Sequence, residues 1–284
     1  MQHDAGTILT DDGLTLATRR WTPHEHPKAA VVVVHGISEH SGRHAHLAAH
    51  LMLHDYLVYS FDLRGHGRSE GEPRVYVDSF DNYLDDLDTF LAHVRSEIGD
   101  LPLFLLGHSL GGGIAAYYVI ERGADDLAGL VLSSAALKIP ADLSPILQKA
   151  AGVLSRYLPK TPVTKLDTSH LSRDPAVVRA YEEDPLVYTG GVRPRVGAEI
   201  LRVSEHIQSH TDAFTLPLYL FHGTGDKVTD PAGSQFVYEH APSEDKTLNL
   251  YDGLYHETMN EPERDEVLND LTAWLDARVP TSEG

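Results

Sequence analysis

Hydrophobic positions along this chain follow two alternating patterns. In the first, short runs are apolar at almost every position: Ala29 to Val34, Tyr56 to Phe61, Leu103 to Leu106, Leu127 to Ser133 and Leu216 to Phe221, with Thr247 to Tyr251 closing the series. Such runs, lacking polar alternation, describe strands buried on both faces, as in a parallel sheet covered by helices. In the second pattern, apolar residues recur at helical spacing. Phe80, Tyr83, Leu84, Leu87, Phe90, Leu91, Val94 and Ile98 form one stripe behind Ser79, a good N-cap. Val267, Leu268, Leu271, Trp274 and Leu275 form another, and a helix is predicted from about His44 to His54. The N-terminal stretch differs: Thr7 to Thr10 and Leu14 to Trp21 flank Asp11-Asp12-Gly13 and read as a β-hairpin. Strands alternating with helices predict an α/β fold with a mostly parallel central sheet flanked by helices.

The alternation breaks between residues 136 and 212. Leu143, Ile146, Leu147, Ala150, Leu154, Tyr157 and Leu158 make an amphipathic helix opened by Ser144-Pro145 and stopped by Pro159. Other helical pieces follow without a buried strand. The chain is therefore divided into a core (1–135), a helical cap inserted between two strands (136–212) and the rest of the core (213–284). Segments at the C-terminal ends of parallel strands surround the site in such sheets, which makes the insertion a lid.

Composition narrows the classes of function. The chain has 284 residues, enough for one large domain with an insertion, and 42% of them are hydrophobic. With no cysteine, disulfides and thiolate chemistry are excluded. No apolar run approaches the roughly 20 residues that span a bilayer, and the N-terminus lacks the pattern of a secretory signal; the expected location is the cytoplasm. A net charge of -19 argues against nucleic acid, which needs clustered Lys and Arg, and disfavours anionic lipid headgroups.

The candidate chemistry lies at Gly107-His108-Ser109-Leu110-Gly111, a G-x-S-x-G pattern with a strand before it and a helix after it. A serine attacks a carbonyl only if a base lies within hydrogen-bond reach and the backbone presents its oxygen. A sharp strand-to-helix turn does the second, and its neighbours two positions away must be nearly free of side chain. Asp226 and His256 each follow the C-terminal end of a predicted strand, on the edge where Ser109 also lies. They complete a nucleophile, base and orienting acid in the order Ser…Asp…His. Because the chain has 18 histidines, position and not residue type singles out His256. Asp230 is the competing acid, but Pro231 beside it marks a helix N-cap. The oxyanion donors in this architecture are the backbone N–H groups of Leu110 and, in the loop after His35-Gly36, Ile37.

These segments together resemble one family. His35-Gly36-Ile37-Ser38-Glu39-His40-Ser41-Gly42-Arg43, Asp62-Leu63-Arg64-Gly65-His66-Gly67-Arg68-Ser69, Gly107-His108-Ser109-Leu110-Gly111-Gly112 and the Asp226 and His256 segments are similar to the monoacylglycerol lipase and lysophospholipase branch of the α/β-hydrolases, sometimes grouped with serine aminopeptidases. The resemblance runs over nearly the whole chain and is weakest in the insertion. It implies a cap that forms an acyl-chain tunnel, action on neutral monoacylglycerols without a cofactor or metal, and transient contact of the cap with a membrane or micelle. It further implies that Glu39, Arg43 and Tyr181 lie near the polar head of the substrate. Glu39 and Arg43 equally fit an ion pair that holds their loop. Met259 stands where mammalian-type members carry a second histidine, and Leu110 where they carry methionine. Lysophospholipid or short-ester hydrolysis, aminopeptidase action drawing on Glu182, Glu183 and Asp184, and a non-catalytic ligand sensor are the competing readings.

Overall fold

The computed structural model describes residues 2–138, 152–163 and 165–279. Its strands are β1 (Gln2–Leu9), β2 (Thr15–Thr22), β3 (Ala29–Val34), β4 (Tyr56–Phe61), β5 (Leu103–His108), β6 (Gly129–Ser133), β7 (Leu218–Gly223) and β8 (Lys246–Tyr251). They form one eight-stranded sheet in the order β1-β2-β4-β3-β5-β6-β7-β8. The β1–β2 hairpin joins β4 antiparallel, and β4, β3, β5, β6, β7 and β8 run parallel. The C-terminal ends of β5, β7 and β8 therefore share one edge.

The apolar runs form strands because both faces are covered. Along β3, Ala30, Val32 and Val34 enter one core while Ala29, Val31 and Val33 enter the other. The helices α1 (Ala45–Leu53) and α7 (Arg264–Asp276) cover the second face with Leu47, Leu51, Leu271 and Trp274. On the first face lie α2 (Asp81–Ile98) and α3 (Leu110–Arg122), and in part the later helices α5 (Pro194–Ser209) and α6 (Pro231–His240), through Phe90, Ile114, Val203 and Val237.

Two element boundaries differ by one or two residues from the sequence expectation. Ser79 accepts the Asp81 amide at 3.2 Å and α2 starts at Asp81, while the Phe80 amide, which has no partner inside the helix, donates to Glu199 Oε2 of α5 at 3.0 Å. β6 begins at Gly129 because the Leu127 amide closes a turn onto Ala124 O at 2.9 Å.

Between β6 and β7 the described residues contain the helix α4 (Pro175–Glu183), then α5, a 3-10 turn at Thr168–His170 and helical backbone at 152–157, with no further strand of the sheet. Leu143, Ile146, Leu147 and Ala150 of the expected amphipathic helix lie outside the described residues. Its last part is helical and stops before Pro159, with Tyr157 and Leu158 exposed. Among the described residues no helix is long and apolar enough to cross a membrane.

Candidate active site

Ser109 occupies the sharp turn between β5 and α3 with φ 55° and ψ −118°, a conformation that costs a residue with a side chain roughly 1–3 kcal/mol. The two glycines around it make the turn sterically feasible. A Cβ at Gly107 would lie 2.3 Å from the Gly111 carbonyl oxygen, and one at Gly111 would lie 2.2 Å from the Val34 carbonyl oxygen. The requirement read from the sequence is thus met by backbone crowding from α3 on one side and β3 on the other.

The parallel strands bring Asp226 and His256 to the same edge. The Ser109 hydroxyl donates to His256 Nε2 at 2.9 Å, and His256 Nδ1–H donates to Asp226 Oδ2 at 2.8 Å. All three residues are buried. Asp226 is held from every side: Oδ1 accepts the Val228 and Thr229 amides at 2.7 and 3.1 Å, and Oδ2 also faces Thr229 Oγ1 at 2.8 Å and His222 Nε2 at 3.0 Å. Burial raises the Asp226 pKa, but His256 and His222 outweigh it and leave the carboxyl far below the usual range. Burial pulls His256 down; the Asp226 carboxylate, with Glu257 and Glu39 behind it, more than reverses this and raises it above 6.5. Asp230 caps α6, accepting the Ala232 amide at 2.9 Å, as expected of the competing acid.

Two backbone donors flank Ser109. Among the described residues, neither the Leu110 nor the Ile37 amide has an acceptor. The loop carrying Ile37 is fixed on both sides. His35 Nδ1–H donates to Gly36 O at 2.7 Å while its Nε2 accepts the Leu63 amide at 2.9 Å, which ties this loop to the Asp62–Ser69 loop. Glu39 Oε1 accepts the Gly36 amide at 2.6 Å.

The residues matched to a substrate head form a buried charge cluster. Arg43 Nη1 donates to Glu39 Oε2 at 2.7 Å, and its two terminal nitrogens also meet both oxygens of Glu257 at 2.7 and 2.8 Å. Of the two readings open for Glu39 and Arg43, this is the ion-pair arrangement. Tyr181 of α4 stacks over the Arg43 guanidinium at 4.6 Å. Glu39, Tyr181 and Glu257 nevertheless wall a small cavity of about 20 Å³ with Ile37, Ser109 and His256, lined also by Leu166 and Leu171. His108 lies against the His256 ring at 5.0 Å and burial holds it neutral. Met259 is buried in the second core, and its carbonyl accepts from His46 Nε2 at 2.8 Å.

Glu257, Thr229 and His222 were not singled out by the sequence. Glu257 follows His256 directly but its partner Arg43 is 214 positions away, whereas His222, near the end of β7, and Thr229 lie within four residues of Asp226, where spacing alone does not show which side chains turn toward the carboxylate. Among the described residues no group of three or more histidines and carboxylates is arranged to hold a metal ion. Chemically, the arrangement can pass a proton from the Ser109 hydroxyl to a histidine held in one tautomer, with the Leu110 and Ile37 amides left without an acceptor among the described residues.

The family model described as serine aminopeptidase, S33, matches residues 25–263. A monoacylglycerol lipase of Mycolicibacterium smegmatis is 37% identical over 93% of this chain and 93% of its own length. The human monoglyceride lipase is 35% identical over 99% of this chain and 93% of its own. Among solved structures, the monoacylglycerol lipase of Paleococcus ferrophilus superposes with a TM-score of 0.81 at 32% identity, covering 91% of this chain and 98% of that one. A soluble variant of the Saccharomyces cerevisiae monoglyceride lipase, in complex with a substrate analogue, has the same fold, with a TM-score of 0.87 at 24% identity over 99% of this chain and 97% of that one. With the strand order and the edge that gathers Ser109, Asp226 and His256, these similarities make the chain a member of the serine aminopeptidase, S33, family of α/β-hydrolases and a monoacylglycerol lipase-like serine ester hydrolase.

Proposed function

We propose that the protein hydrolyses monoacylglycerols to fatty acid and glycerol through an acyl-enzyme on Ser109. The observation that carries this reading is the continuous relay from Ser109 Oγ through His256 to Asp226, at 2.9 and 2.8 Å, beside two unspent amides. His256 takes the Ser109 proton as the oxygen attacks the ester carbonyl, and the Ile37 and Leu110 amides receive the oxyanion. His256 then returns the proton to the departing glycerol oxygen. Water, deprotonated by the same histidine, releases the fatty acid. Asp226 keeps the imidazole in the tautomer that leaves Nε2 free to accept.

The polar wall of the cavity favours an uncharged alcohol. Glu39 and Glu257 are neutralised by Arg43, whose guanidinium is covered by Tyr181, so no free cation among the lining residues awaits a phosphate. The acids that an aminopeptidase would need are engaged or exposed elsewhere: Asp184 pairs with His40 at 2.9 Å, Glu182 bonds Thr168 at 2.5 Å and Glu183 faces solvent. In this reading Glu39 and Tyr181 contact the glycerol part and Arg43 acts behind them. Residues 136–212 act as the cap, with exposed Val153, Tyr157, Leu158 and Val163 as the surface that meets a micelle or membrane from the cytoplasmic side.

The test is hydrolysis of monoacylglycerols and p-nitrophenyl esters of increasing chain length, with Ser109→Ala as the control. Ser109-dependent turnover that peaks on medium or long monoacylglycerols is expected. Activity confined to short esters would replace the lipase reading with that of a general esterase, and turnover of aminoacyl amides alone would replace it with a peptidase.

A further inference from the structure

A second buried histidine faces the acid that orients His256. His222 lies one residue before the end of β7 with its side chain fully buried, four residues before Asp226, and its Nε2 lies 3.0 Å from Asp226 Oδ2, the same oxygen that accepts from His256 Nδ1 at 2.8 Å. A carboxylate oxygen only accepts, so the His222 Nε2 carries a hydrogen and donates it. The opposite ring nitrogen, Nδ1, is anchored at 2.8 Å by the hydroxyl of Ser234, fully buried on α6. His222 does not wall the cavity beside Ser109. Its ring and that of His256 thus share one acceptor while only His256 reaches the nucleophile.

Resting on the reading of Ser109, His256 and Asp226 as the catalytic set, we propose that His222 is a positioning residue of the reaction. By donating to Asp226 Oδ2 it locks the carboxylate rotamer and withdraws part of its negative charge, and so limits how strongly Asp226 stabilises the protonated form of His256. The physical reason is electrostatic. In a buried site a donor hydrogen beside a carboxylate places positive potential on everything else that the carboxylate touches. A plain packing role would need neither a polar ring at this position nor the Ser234 hydroxyl behind it. The surrounding groups are constant in this comparison. Glu257 and Glu39 act on His256 while both pair with Arg43, the His108 ring lies tilted 5.0 Å from that of His256, and Thr229 offers Asp226 a neutral hydroxyl.

The experiment compares His222→Leu with His222→Gln, whose amide N–H can reach the same oxygen, by kcat and KM on a p-nitrophenyl ester across pH. Active sites are counted by titration with an organophosphorus ester. The leucine variant is expected to lower kcat by on the order of tenfold with KM within about twofold. It should also move the acid midpoint of kcat/KM upward by about one unit, because His256 then holds its proton more tightly. Glutamine should restore the wild-type midpoint. A leucine variant with the wild-type midpoint overturns the proposal, as does a uniform loss at all pH values that glutamine does not repair. If the leucine variant fails to fold, Ser234→Ala, which releases the ring, must shift the midpoint in the same direction, and an unshifted profile overturns the proposal. A wild type with no Ser109-dependent turnover would overturn the catalytic reading itself, a result separate from an active wild type with an indifferent His222.

Discussion

Arg43 meets Glu257 end to end, with Nη1 on Oε1 at 2.7 Å and Nη2 on Oε2 at 2.8 Å. The pair joins residues 214 positions apart, and Nη1 also reaches Glu39, whose other oxygen holds the Gly36 amide. One guanidinium therefore links the loop that carries the Ile37 amide to the residue beside His256. Arg43→Met would leave two buried carboxylates without their cation. A loss of about 3–5 kcal/mol in unfolding free energy is expected, read from urea denaturation. A variant with wild-type stability and only a raised KM would instead return Arg43 to direct substrate contact.

Asp226→Asn should preserve the fold but favour the wrong His256 tautomer, since an amide can donate where the carboxylate only accepted. We expect kcat to fall by about 10⁴ with little change in KM. Steady-state kinetics beside a thermal melt would separate this from unfolding; a loss below tenfold would mean that another group orients the histidine.

The pH dependence of activity follows from the His256 environment. In the proposed reaction His256 must be neutral to accept the Ser109 proton, and the Asp226 carboxylate with its acidic neighbours raises its pKa above the usual value despite burial. Activity should be full above that midpoint and fall as pH drops through it. A kcat/KM profile with its acid midpoint at or below 6.5 would contradict this electrostatic account.

Gly111→Ala places a methyl group 2.2 Å from the Val34 carbonyl oxygen, a contact that neither β3 nor α3 can relieve without moving the turn. A destabilisation of about 3 kcal/mol or more is expected, with ester hydrolysis lost. Differential scanning calorimetry reads it directly, and an unchanged Tm would show that the turn is not as crowded as the geometry requires.

Stability itself should decline in mild acid. Burial lowers His66 to about 3 and His46 to about 4, whereas in the unfolded chain both titrate near 6.5. The folded pKa lies below the unfolded one, so below about 6.5 the unfolded state binds protons that the folded state refuses. Each residue then removes up to about 1.4 kcal/mol per pH unit until its folded value is reached. The urea midpoint should therefore fall between pH 7 and pH 5. His66→Asn, whose side-chain amide can keep the bond to the Arg64 carbonyl, should flatten that slope; a slope equal to wild type would assign the acid sensitivity to other groups.

Much of this molecule was legible in one dimension because its signals are local. Apolar runs such as Tyr56–Phe61 become strands since both faces of the sheet are covered, and the α2 stripe from Phe80 to Ile98 is buried throughout. The glycines around Ser109 are dictated by a turn only a few residues long. The order Ser109, Asp226, His256, each just beyond a strand of one parallel sheet, limited where the three could meet. The chain by itself thus determined the α/β class and the strand ends beyond which Ser109, Asp226 and His256 lie.

Only the tertiary structure decided which charges neutralise one another. Among 42 acidic residues and 18 histidines, residue type could not select Glu257 as the partner of Arg43 or His222 as the second donor to Asp226. Those choices depend on where strand ends and loops converge after folding. Charge pairing in a buried site is governed by distance and desolvation, and neither quantity is carried by sequence spacing.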